Sequence, residues 1–375
     1  MEAGAAPGCS LPHPRRSIAT VVCLLTAACF ASGCSSIGPQ TVPRDRVDYV
    51  TGIAESWKEQ TLLNIVRMRY GDAPTFVDVS SVISAYALQG QLSASGNFSS
   101  NLTSAIPSSV ASVGGTATYL DRPTITYTPL MGERFARSLL QPIPPSAIFE
   151  LIQAGYPADR ILQVTARAIN GIYNRASIGG QTRQADPQFY PLLDALRRLQ
   201  ASGAIALRLE KRGDGEVGRL IISAEASADV EADRRYVQNA LHIKAEKNAE
   251  LTITFGALQK SENEIALLSR SMMEILLELA NGIEVPAAHI TEGRTNPSTR
   301  IADAWDLRDR PLVRIQSSAD EPGGSFAAVR YRDTWYWIGD DDLASKRVVT
   351  FLMMFFSLAE TGIAPQAPVL TIPAN

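Results

Sequence analysis

Residues 82–98 read VISAYALQGQLSASGNF and residues 113–127 read VGGTATYLDRPTITY. In the first stretch Val82, Ser84, Tyr86, Leu88, Leu92 and Phe98 share one parity. Ile83, Ala85, Ala87, Gln89, Gln91, Ser93, Ser95 and Asn97 share the other, and this second face turns polar from Gln89 onward. In the second stretch Val113, Ala117, Tyr119, Ile125 and Tyr127 alternate with Thr116, Thr118, Thr124 and Thr126. A period of two is that of a strand with unlike faces. Between the runs lies a Ser/Asn/Pro-rich segment, 99–112. The pattern predicts a long β-hairpin over 76–130, with Pro123 forcing an edge position or a bulge on the second strand.

Before this hairpin the period is helical. Val50, Ile53, Ala54, Trp57, Thr61, Ile65 and Met68 recur at steps of three and four from Asp45 to Tyr70, and Gly71 with Pro74 ends the run. Trp57 is expected to anchor that face to a core. After the hairpin, short helices are expected at Arg134–Leu140, Pro145–Ala154 and Ala158–Tyr173. The last would present Ile161, Leu162, Thr165, Ile169 and Ile172 on one side. The Gly179-Gly180 segment, 177–187, is the best linker.

Beyond it the reading alternates. A helix is expected at Pro191–Ala201, then a hairpin of Ile205–Leu209 with Leu220–Ser223, and a helix at Val230–Ile243. A strand at Leu251–Phe255 precedes a helix at Glu262–Asn281. Strands at Arg314–Ser317 and Ala327–Trp337 lead to an apolar helix at Asp341–Glu360. Strands paired through hairpins with helices between them indicate an α+β fold: a long hairpin and helical segment, then a mixed α/β C-terminal part.

The N-terminus is of a different kind. Arg15 and Arg16 precede thirteen residues, Ile18 to Phe30, that carry no charge, and Ala31-Ser32-Gly33-Cys34 follows. A basic region, an apolar stretch and small residues describe a secretory leader. A Cys directly after them looks like a bacterial lipobox, in which Cys34 becomes the lipidated N-terminus. Ala31 stands where Leu, Val or Ile is usual, and a soluble periplasmic protein cut after Gly33 is the alternative. The four cysteines are at 9, 23, 29 and 34, so none follows the cleavage point. The mature chain then has no disulfide and no Cys-based metal site or nucleophile. The expected organisation is a leader at 1–33, a lipidated tether at 34–44, a segment at 45–176, the linker at 177–187 and an α+β domain at 188–375.

Charge excludes some partners. The chain has 35 Lys and Arg against 38 Asp and Glu. Without the leader, which holds Glu2, Arg15 and Arg16, the balance is 33 against 37. A mildly acidic chain lacks the dense basic face that nucleic acid requires, and no cofactor-binding motif is present. His13 lies in the leader, leaving His242 and His289, with no HExxH, GxSxG, GxxxxGK[ST] or GxGxxG pattern. His289, after Val285-Pro286-Ala287-Ala288, is expected on a solvated loop.

Two stretches are candidate sites. Asp340, Asp341 and Asp342 could offer oxygen ligands to a hard cation. Yet they immediately precede the last helix, where carboxylates cap free N–H groups, and consecutive side chains splay apart. Capping is the expected role, with metal binding the weaker alternative. In Tyr331–Trp337, Trp335 and Trp337 share a face with Tyr331 and Asp333, opposite Arg332 and Tyr336. Aromatics beside Arg can stack on a ligand. The preferred expectation is a core strand whose tryptophans pack on the final helix, with Arg330 and Arg332 near Asp340–Asp342.

The segments Ser56–Gln60 with Leu62–Val66, Pro123–Pro145 (PTITYTPLMGERFARSLLQPIPP) and Tyr331–Arg347 resemble an uncharacterised family of Gram-negative bacterial lipoproteins. The resemblance implies an outer-membrane location and carries no assigned activity or catalytic residue. The expectation is a protein lipid-anchored through Cys34 on the periplasmic face of the outer membrane. Its role would be structural, assembly or scaffolding, with protein partners or self-association. Two alternatives stand beside it: an oligomeric pore built from the 76–130 hairpin, and an envelope-polymer hydrolase using Asp or Glu.

Overall fold

Helix α1 (Gly38–Arg69) holds the first strand by side-chain amides as well as by packing. The Asn64 amide donates to the Thr75 carbonyl and accepts from the Thr75 N–H, both at 2.8 Å. One turn earlier, the Gln60 amide donates to the Val77 carbonyl at 3.0 Å and accepts from its N–H at 2.5 Å. Each amide copies a rung of a β-ladder and satisfies backbone groups that would otherwise lie unpaired beside the helix.

The computed structural model describes residues 38–83, 86–97, 110–178, 181–212, 215–222, 228–244, 250–297 and 311–359. The leader, Cys34 and the first part of the expected tether therefore lie outside the described residues. The rest of the tether, from Gly38, is already helical. Along α1 the expected apolar face is covered only in its second half. Thr61, Leu62, Asn64, Ile65 and Val66 are buried, and Trp57 packs partly against the core, whereas Val47, Val50 and Ile53 are exposed.

The fold is α+β. The expected hairpin forms a ladder in two pieces. Strand β1 (Phe76–Ile83) pairs with β4 (Thr124–Leu130), and β2 (Tyr86–Asn97) pairs with β3 (Val110–Asp121). The return strand is interrupted at Arg122-Pro123, where Pro123 has no N–H to give a ladder. The described chain divides into two compact units, one drawn from 38–52 with 80–126 and the other from 53–79 with 127–359.

In the first unit, β2 and β3 keep one antiparallel register from Tyr86↔Asp121 to Asn97↔Val110. Gln89 faces Thr118 and Gln91 faces Thr116, and all four side chains are exposed. Residues Thr124, Ile125 and Thr126 of the return strand are exposed on both faces.

The second unit is built on a six-stranded sheet ordered β6-β5-β12-β11-β10-β9. Its strands are β5 (Ala166–Ile169), β6 (Ile172–Tyr173), β9 (Ile205–Arg212), β10 (Gly215–Ile222), β11 (Glu250–Phe255) and β12 (Glu264–Ser269). Only β11 and β12 run parallel. Helices α2 (Glu133–Leu140), α3 (Pro145–Gln153), α4 (Ala158–Thr165), α5 (Phe189–Ala201), α6 (Ala228–Leu241) and α7 (Met272–Asn281) accompany it. A short α8 (Ala287–Thr291) leads to a three-stranded sheet, in which β15 (Thr334–Gly339) lies between β13 (Gln316–Ser318) and β14 (Ser325–Tyr331). Helix α9 (Leu343–Ala359) closes the described chain. Phe189, Leu192, Leu199, Leu241, Leu251, Leu267 and Ile275 are among the side chains that fill the core.

Three sequence expectations are corrected here. The helix expected over Ala158–Tyr173 stops at Thr165, and Ile169 and Ile172 belong to a tight hairpin. Asn170 and Gly171 take φ of 45° and 81°, the left-handed pair that matches a two-residue hairpin. The helix expected over Glu262–Asn281 is strand β12 followed by α7. Ser271 makes the break by capping α7, its hydroxyl accepting from the Glu274 N–H at 3.1 Å. The strand expected over Ala327–Trp337 is the β14–β15 hairpin, which turns at Arg332-Asp333 with both φ positive. Within 177–187 the chain forms a small hairpin of β7 (Ala176–Ile178) and β8 (Gln181–Arg183). Ser177 there is buried, and its N–H donates to Glu278 Oε2 at 2.7 Å.

Candidate functional site

Three elements of the second unit converge on a buried polar network that the sequence did not reveal. Tyr70 comes from the turn after α1, His289 from α8 and Tyr336 from the middle of β15. The Tyr70 hydroxyl lies 2.6 Å from His289 Nδ1 and also hydrogen-bonds the Tyr336 hydroxyl. His289 is 8% exposed and Tyr336 is fully buried. The expected solvated His289 is thus corrected: Pro286 starts a helical turn that carries the imidazole inward. Burial, reinforced by the bond to Tyr70, holds the Tyr336 hydroxyl well above the ordinary phenol value. The Tyr336 hydroxyl therefore acts as a neutral hydrogen-bonding partner.

Around them, the Tyr331 hydroxyl bonds Asp72 Oδ2, and Arg332 reaches the same oxygen at 3.1 Å. The Arg332 guanidinium also lies 5.3 Å from the Tyr70 ring centre and 5.2 Å from that of Tyr331. Arg332 therefore pairs with Asp72, and Arg330 with Asp333 at 3.1 Å, correcting the expectation that both would lie near Asp340–Asp342. Seen from the sequence, Asp72 offered no sign of this, because its partners lie more than 250 residues away.

The aspartate triplet is split between local roles. Asp342 accepts from the Ser345 N–H at 3.0 Å and the Ser345 hydroxyl at 2.6 Å, so it caps α9. Asp340 receives Lys346 Nζ at 2.6 Å. Among the described residues no group of three His, Cys, Asp or Glu side chains is placed to hold a metal ion.

Trp335 and Trp337 occupy the opposite face of β15 from the one expected to be in the core. Thr334, Tyr336 and Ile338 are buried, while both tryptophans are half-buried. The reversal follows from the turn. With Arg332 and Asp333 in the left-handed region, β15 begins at Thr334, and Tyr336 becomes the residue that points inward. Trp335 stands opposite Arg330 and Trp337 opposite Ala328.

A second buried polar group sits behind α7. Arg175 Nε lies 3.2 Å from Glu278 Oε1, and both side chains are under 10% exposed. Arg270 donates to the Val164 carbonyl at 3.2 Å and also to that of Arg175. Burial pushes the Arg270 guanidinium down from its ordinary value, and the Glu278 charge opposes that shift. Glu264 is the other buried carboxylate among the described residues. The Thr254 hydroxyl and, at 2.8 Å, the Lys260 N–H donate to it. Both buried carboxylates are held by structural partners, Glu278 by Arg175 and the Ser177 N–H and Glu264 by Thr254 and the Lys260 N–H.

Comparison with protein families, with curated proteins and with solved structures finds no match for this chain. Among the described residues, no helix is long and apolar enough to cross a membrane.

Proposed function

We propose that this is a lipid-anchored cell-envelope protein with a structural or assembly role, attached through diacylglycerol on Cys34 to the periplasmic face of the outer membrane. The lipobox-like Ala31–Cys34 supports the anchor. The observation that carries the assembly role is the two-stranded β2–β3 ladder, which has no third strand among the described residues. An isolated two-stranded ribbon is marginal in water, and its free edges invite further strands. Pairing with a second copy or another envelope protein would complete the sheet.

Deleting residues 89–118 tests this reading. The full chain, extracted in mild detergent, is expected to run as an oligomer or complex by light scattering. The deletion variant should run as a folded monomer with its helical circular dichroism retained. A full chain that is itself monomeric and captures no partner contradicts the assembly role.

A second reading, an oligomeric pore, is favoured by strand length. Strands β2 and β3 each have 12 residues, against the roughly 9–11 that span a bilayer. Only a ring of many copies could close such a barrel. Conductance across a planar bilayer that is lost on deletion of 89–118 would favour the pore over a scaffold.

A further inference from the structure

A cavity of about 550 Å³ lies between α4 and α9 in the second unit. Its floor is apolar: Ile161 and Val164 come from α4 and Phe351 from α9, all buried. Leu343 and Met354, at its edges, remain 55% and 39% exposed. The volume falls in the range of about 300–1,000 Å³ typical of small-molecule pockets, which are mainly apolar with a few polar groups that orient the ligand.

The polar groups here are mostly cationic. Lys346 is engaged by Asp340 at 2.6 Å. Arg347, also on the wall, is exposed and has no ion-pair partner among the described residues. Arg160 shares Asp159 with Arg197, at 3.6 and 3.2 Å respectively, so one carboxylate serves two guanidinium groups. The Tyr156 hydroxyl donates to the Met354 thioether at 3.2 Å, a weak acceptor that an oxyanion would outcompete. An apolar trough edged by spare positive charge and a hydroxyl donor suits an apolar chain ending in an anionic oxygen group.

We propose that this groove binds a single-chain anionic amphiphile, with the acyl chain on Ile161, Val164 and Phe351 and its carboxylate or phosphate held by Arg347 and Arg160. A fatty acid and a lysophospholipid share this chemistry. The proposal is independent of the lipid anchor and of the hairpin's role.

The test titrates the full chain, held in an amphipathic polymer in place of detergent, with cis-parinarate, a fatty acid that fluoresces in apolar surroundings. Saturable binding at one site per chain is expected, displaced by palmitate but not by hexadecanol, which has the chain without the charge. Displacement by palmitate identifies a carboxylate head, and displacement by lysophosphatidylglycerol a phosphate head; either supports the class. Arg347→Glu should weaken binding about tenfold. Ala344→Trp, at an exposed position on the wall, should abolish binding while leaving the melting temperature unchanged. Absence of saturable fluorescence, equal displacement by hexadecanol, or undiminished binding by a folded Ala344→Trp variant would each overturn the proposal.

Discussion

The hydroxyl of Tyr70 meets Nδ1 of His289 at 2.6 Å, joining residues 219 positions apart in the chain. Tyr336 completes the link from below. Together they fasten the end of α1, the short α8 and the three-stranded sheet to one another, beside the Arg332–Asp72 ion pair. Removing the Tyr70 hydroxyl would strand a buried ring nitrogen and take one of its partners from the buried Tyr336 phenol. Tyr70→Phe should therefore cost about 1–3 kcal/mol in urea denaturation, the penalty for buried polar groups left unpaired. Tyr70→Phe combined with His289→Ala should cost less than the sum of the two single changes.

The Arg175–Glu278 pair makes a sharper demand. Glu278→Ala leaves Arg175 and Arg270 under-compensated in a buried setting and withdraws the acceptor of the Ser177 N–H. Loss of one partner from a buried pair costs about 3–5 kcal/mol. Thermal or urea denaturation should show a loss of that order, whereas Glu133→Ala, whose ion pair is exposed, should stay within about 0.5 kcal/mol.

Acid sensitivity should trace in part to Glu264. The Thr254 hydroxyl, joined by the Lys260 N–H, holds its carboxyl below the ordinary range, against the opposing effect of burial. A depressed folded-state value means that the stabilisation is complete above the ordinary carboxylate value of about 4.3. It fades as pH falls through the lowered one. Glu264→Gln should thus be less stable than the parent near neutrality, with the difference closing in acid. Denaturant titrations across that interval measure it directly.

The sequence made local periodicity legible and long-range partners invisible. The alternation around Gln89–Asn97 and Thr116–Tyr127 was enough to place the ladder, because one polar face of a strand needs no distant information. Glu264–Ser269 failed for the opposite reason. A short apolar run fits a buried strand or a helix face equally well, and only the capping role of Ser271 separates them. Asn170-Gly171 did carry a turn signal, but the helical spacing of Ile161, Thr165, Ile169 and Ile172 masked it. Trp335 and Trp337 were placed on the wrong face because Arg332-Asp333 carries none of the usual glycine signature of a left-handed turn. Nothing near His289 could have announced Tyr70 or Tyr336.

Labelling of cells with radioactive palmitate, followed by membrane fractionation, tests the central claim of a lipid anchor most directly. The parent chain should incorporate label and remain in the outer-membrane fraction after a high-salt wash, while Cys34→Ala should lose the label and either stay unprocessed or become soluble. A parent chain that takes up no label, or a Cys34→Ala variant that fractionates as the parent does, would contradict it.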